Sequence, residues 1–163
     1  MYTATRVTIL AMALVAAGAA TVQAQNNATV NVTAAVQQPI TVTAANPLDF
    51  GTVFPGVPKG VTLASGSAGR FTVTGQGSAP VSLSFVVPAN LTFGVSNTLP
   101  ITFIGSWNGI NDPAGFGVVF AGATAATFSG TGNLYVFVGG TVTPSVSQAA
   151  GAYVGTVQMT VVY

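Results

Sequence analysis

The sequence contains no cysteine and no histidine, and its two acidic side chains, Asp49 and Asp112, leave no glutamate. Without cysteine there can be no disulfide, no thiolate nucleophile and no lipid attached through a thiol. Without histidine, a Ser-His-Asp triad is impossible, and a zinc site lacks its usual ligands. Charged residues make up only 3% of the chain, so acid–base chemistry has almost nothing to draw on. Asp49 and Asp112 lie far apart in sequence, and no motif joins them. We expect no catalytic residue, no bound cofactor and no metal.

The lack of charge also bears on partners. Past residue 24 the only charged side chains are Asp49, Lys59, Arg70 and Asp112, two of each sign. Nucleic-acid binding needs a basic patch to neutralise phosphates, and two cations cannot form one. Electrostatic attachment to an anionic membrane fails for the same reason. Near-zero net charge favours association, which suits a protein packed into an assembly.

Residues 1–24 read as a secretory signal peptide. Arg6 gives a positive start, Val7 to Ala20 is an apolar stretch broken by Thr8 and Gly18, and Val22-Gln23-Ala24 offers a small-residue cleavage site. The apolar run is shorter than the roughly 20 residues that span a bilayer. Cleavage leaves residues 25–163, enough for one domain with a sizeable core.

The remaining chain is rich in Val, Thr, Phe, Gly and Ser, the composition of short strands and turns. Period-two alternation recurs and no amphipathic helical period is found. Ala28 to Val36 alternates, with Ala28, Val30, Val32, Ala34 and Val36 on one face, and Pro39 interrupts it. Further strands are expected at Ile40–Thr43, Leu48–Val53, Val61–Leu63, Phe71–Thr74, Val81–Val87 and Leu91–Phe93. Ile101–Ile104, Val118–Phe120, Ala126–Phe128, Leu134–Val138 and Tyr153–Tyr163 complete the series. Turn signals include Pro55-Gly56, Ser65-Gly66, Gly75 to Gly77, Asn108-Gly109, Asp112-Pro113, Gly130 to Gly132 and Gly139-Gly140. About ten strands at this spacing indicate an all-β, Ig-like antiparallel β-sandwich. Gly75-Gln76-Gly77 lacks the Gly-Lys-Ser/Thr and the helix of a phosphate loop, and reads as a turn. The Asn-x-Thr triplets at Asn27, Asn31 and Asn90 fit chance in a Thr-rich chain.

On alternation alone Ala28–Val36 is an ordinary first strand. Val30-Asn31-Val32-Thr33-Ala34-Ala35-Val36, Pro39-Ile40-Thr41-Val42 and Leu48-Asp49-Phe50-Gly51-Thr52-Val53, however, resemble the opening of chaperone–usher pilin subunits. Phe71-Thr72-Val73-Thr74-Gly75 and Gly151 to Val157, closing on Val161-Val162-Tyr163, resemble later parts of the same subunits. The chain is most similar to the pilin-like DUF4402 family, a domain of unknown function, and more distantly to the spore coat U domain. It lacks the cysteine pair that many such pilins carry.

This resemblance implies a sandwich that lacks its last strand, with residues 25–37 as a donor-strand arm and 38–163 as the body. It implies donor-strand contacts through Ala28, Val30, Val32, Ala34 and Val36. The implied partners are copies of the chain or related pilin subunits, a periplasmic chaperone and an outer-membrane usher. The implied location is the periplasm in transit, then the cell surface or fimbrium, with a role in adhesion. Two other readings stand beside it. A small outer-membrane β-barrel would suit the signal peptide and Tyr163, although barrel strands need about 9–11 residues and aromatic girdles. A self-contained secreted sandwich could bind a ligand through Trp107, Asn108 and Asp112.

Overall fold

A computed structural model describes residues 26–163. The signal peptide expected at residues 1–24 lies outside the described residues. The chain divides into two units, Met1–Ala35 and Val36–Tyr163, and the sandwich lies within the second.

Ten strands follow in order: β1 (Thr41–Asn46), β2 (Lys59–Val61), β3 (Gly69–Thr74), β4 (Pro80–Val86), β5 (Asn90–Phe93), β6 (Asn97–Asn108), β7 (Phe116–Gly117), β8 (Ala123–Thr127), β9 (Asn133–Val142) and β10 (Gln158–Val162). No helix occurs among the described residues. All pairings between these strands are antiparallel. A seven-stranded sheet runs β1-β3-β9-β6-β5, with β2 also on β9 and β7 also on β6, and a three-stranded sheet runs β10-β4-β8. Both sheets are open, so the fold is an all-β sandwich rather than the closed ring of a membrane barrel.

Alternation builds the main core. Val73 of β3, Leu134, Val136 and Val138 of β9 and Leu83 of β4 are fully buried. All but Val138 meet Val81 and Phe85 of β4, Ala126 of β8 and Met159 of β10 in one cluster. In an antiparallel pair, opposed residues share a face. Met159 opposite Phe85 and Val73 opposite Leu134 therefore point into the same interior.

Several expected strands change. Gly139-Gly140, read as a turn, lies inside β9. A Cβ on Gly139 would run into the Val61 carbonyl of β2, and one on Gly140 into the Thr102 carbonyl of β6. These glycines serve close backbone approach within the sheet, a use that composition cannot separate from a turn. Gly140→Val is therefore expected to lower stability by about 3 kcal/mol or more through overpacking against backbone, measured as a shift in urea midpoint.

Val118–Phe120 is not a strand. Val118 N–H donates to the Gly105 carbonyl at 3.0 Å and Val119 N–H to Thr124 Oγ1 at 2.9 Å. These bonds seat the Phe120 ring against Phe85 and Phe103, at centroid distances of 5.2 and 5.7 Å. Leu48–Val53 and Tyr153–Val157 also lie outside the strands, and both border the site described next. Ala28–Val36 carries no strand either.

Candidate functional site: an uncovered apolar groove

The two sheets differ greatly in breadth, and the difference leaves part of the core without a roof. A second cluster of Leu99 and Ile101 (β6) with Val142 (β9) lies on the broad sheet, joined by half-buried Phe50, Val53, Leu91, Phe103 and Tyr153. No strand of the narrow sheet covers it. Instead, the non-strand segments 47–55 and 148–157 border a groove of 760 Å³ whose floor includes Phe71, Leu99, Ile101, Phe103 and Val138.

Each wall has a local cause. Pro47 cannot donate to a ladder, and Gly51 takes φ +60°, a left-handed conformation that ends an extended run. Asp49 fixes this bend: its Oδ1 accepts the Gly51 N–H at 2.7 Å, while its own N–H donates to the Ser67 carbonyl at 3.0 Å. Lys59 Nζ then donates to the Thr52 carbonyl at 2.8 Å. The expected strand over Leu48–Val53 is thus a pinned, bent strap whose Phe50 faces the second cluster. In the opposite wall, Val154 and Thr92 exchange two N–H···O bonds at 2.9 Å. Gln148 Nε2 donates to the Tyr153 hydroxyl, which donates to the Ala149 carbonyl. The expected strand from Tyr153 to Tyr163 therefore forms a ladder only over Gln158–Val162.

Each sheet ends in a strand that is paired on one side only. β1 pairs only with β3, and β10 only with β4, among the described residues. Val42 of β1 stands opposite Val73 and shares its inward face. Val73 is fully buried, yet Val42 is 40% exposed. Ala44, the next inward residue of β1, is also exposed and lines the groove. Inward-facing apolar side chains left open to water, beside a free edge, mark a place where another chain can add.

The alternation in Ala28–Val36 has no partner within the described fold. Ala28, Val30, Val32, Ala34 and Val36 are all exposed, with Val30, Val32 and Val36 at 84, 91 and 96%.

The other candidate, the Trp107 loop, is committed to its own structure. Trp107 packs against the main core and stacks on Phe116 at 4.7 Å. Asn108 Oδ1 accepts the Ile110 N–H and its Nδ2 donates to the Ala114 carbonyl at 3.0 Å. Asp112 Oδ1 accepts the Ala114 N–H at 2.8 Å. These are side-chain turns that hold the loop.

Residues 40–163 match the family described as a domain of unknown function (DUF4402). The chain belongs to the DUF4402 family. No curated protein matches the chain. The matched region begins at Ile40, so the DUF4402 domain takes in both sheets and the whole groove, while Ala28–Val36 precedes it. In the sequence it was the resemblance to pilin subunits, not alternation, that set Ala28–Val36 apart as an arm, and no short motif marks the groove. Its floor comes from β3, β6 and β9, which are far apart in the chain.

Proposed function

We propose that this DUF4402 domain is a non-enzymatic structural subunit that polymerises into an exported surface fibre by strand exchange. Residues Ala28, Val30, Val32, Ala34 and Val36 of one copy would fill the groove of the next. The observation that carries this reading is the open apolar groove beside the unpaired edge of β1, where Val42 and Ala44 face inward yet lie open. Strand addition to an open sheet edge supplies backbone hydrogen bonds, and alternate side chains supply specificity; pilin assembly uses this mode.

Arm and groove correspond in size and charge. The nine residues Ala28–Val36 extend to about 30 Å at 3.4 Å per residue. The arm offers only Ala and Val to a floor of Phe, Leu and Ile, so small side chains meet large ones. It carries no charge, and Asp49, the one charged residue on the groove, spends its carboxylate on Gly51. Burying the three valines contributes about 1.5–3 kcal/mol each before the cost of ordering the arm. A contact between unlike surfaces need not close on itself, and its repetition gives a filament.

Under this reading the open edge needs cover before assembly, which a periplasmic chaperone would provide while an outer-membrane usher admits subunits in turn. Adhesion would follow from the exposed surfaces of the fibre. The direct test titrates a labelled peptide of residues 26–37 into the chain. We expect saturable binding in the micromolar range, and none for the same peptide carrying Asp at position 32. No saturation at about 1 mM, an affinity near 4 kcal/mol, would falsify the reading.

A further inference from the structure

The root of the arm, Val36 to Ile40, governs which groove an arm can reach. We infer that this root, clasped by Tyr163, prevents the arm from entering the groove of its own chain, so that completion of the sandwich takes place only between copies. This rests on the strand-exchange reading above.

The directions of the strands set the requirement. Tyr163 follows β10 and its hydroxyl donates to the carbonyl of Gln38, just before β1. The segment after β1 and the segment before β10 border the same groove. β1 and β10 therefore run in opposite directions. An arm entering from its own chain must reverse direction immediately before Thr41. It would then lie antiparallel to β1 and parallel to β10, in a hairpin whose loop is Gln37, Gln38, Pro39 and Ile40. An arm from a second copy needs no reversal.

The root is poorly made for that hairpin. The tightest hairpin loops, those of two residues, depend on residues with positive φ, supplied mainly by Gly, Asn or Asp. Residues 37–40 contain none of these, and no residue of the root has positive φ. Pro39 removes an N–H and biases Gln38 toward extended backbone. The clasp adds a tertiary restraint: the Tyr163 hydroxyl donates to Gln38 and also accepts the Gln76 N–H at 2.8 Å. The phenol thereby joins the root, the β3–β4 turn and the end of β10. Phe128 lies against its ring at a centroid distance of 6.3 Å, and a Cβ on Gly75 would collide with the Phe128 ring and the Tyr163 hydroxyl. Reversal at Gln38 must break this clasp and adopt a backbone its residues disfavour.

The experiment compares three full-length chains by size-exclusion chromatography and by binding of the labelled 26–37 peptide. They are the wild type, Tyr163→Phe, and a turn variant carrying Gln37→Asn, Gln38→Gly and Pro39→Thr. In the turn variant, which supplies an Asn-Gly reversal and removes the restraint of Pro39, we expect closed monomer to rise about tenfold, a shift of about 1.4 kcal/mol, and peptide uptake to fall in step. Tyr163→Phe, which keeps the ring and loses both hydrogen bonds, should move the same way by a smaller factor. Thermal unfolding of each variant distinguishes closure, which raises the midpoint, from simple damage, which lowers it. If the wild type takes up peptide while the turn variant polymerises and binds peptide as it does, the root has no such role. If the wild type itself refuses peptide, the strand-exchange reading fails and this inference fails with it.

Discussion

Val32→Asp is expected to leave the sandwich folded and to abolish polymerisation. Val32 is 91% exposed and belongs to no strand or core cluster, so the substitution removes nothing from the body. Its effect falls on the complex. The valine contributes about 1.5–3 kcal/mol when buried, and an aspartate seated between Phe and Ile side chains finds no counter-charge. Desolvating a polar group without a partner costs a few kcal/mol more. A total near 4 kcal/mol weakens each junction about a thousandfold, and a fibre of many junctions does not survive that. Sedimentation and electron microscopy of exported material should show subunits without filaments. Filaments of normal length from this variant would end the strand-exchange reading.

Ala44→Asp should produce the complementary defect. Ala44 is exposed, lines the groove and stands opposite Phe71 on the inward face of the β1–β3 pair. A carboxylate there is wet while the groove is empty and becomes desolvated only when a strand enters. The subunit should therefore fold, keep its own arm competent, and refuse the arm of a neighbour. Added at about one part in ten to wild-type subunits, it should shorten fibres, because each variant arm that enters a chain end presents a groove that accepts nothing. Mixed with Val32→Asp chains, which accept but do not donate, it should give heterodimers and no longer species. Analytical ultracentrifugation of the two variants, alone and mixed, measures both outcomes. Trimers or longer species in the mixture would show that arm and groove are not the two halves of one junction.

The alternating segments that became the interior were legible in the residues themselves. Val81, Leu83 and Phe85 alternate in β4, and Leu134, Val136 and Val138 in β9, and the structure buries all six. The absence of histidine, cysteine and glutamate was equally direct, because a missing functional group needs no fold to be noticed. Leu48–Val53 misled because alternation of Leu48, Phe50 and Thr52 looks the same in a strand and in a bent strap. The left-handed Gly51 and the bond from Lys59, eight residues later, decide between them. Gly139-Gly140 misled for a related reason: a glycine pair reads alike in a turn and at a crowded crossing of strands.

By itself, then, the sequence determined an all-β chain with little charge, one apolar face for each sandwich layer, and an alternating segment ahead of the domain. Local chemistry suffices there, since side-chain alternation and missing side chains are properties of neighbours along the chain. Only the tertiary structure decided that one sheet is broader than the other and that an apolar floor on it lies open beside the unpaired edge of β1. That outcome depends on which distant strands pair and which edge goes unpaired. Those choices are made by contacts among β1, β3, β6, β9 and β10, and no short window of residues contains them.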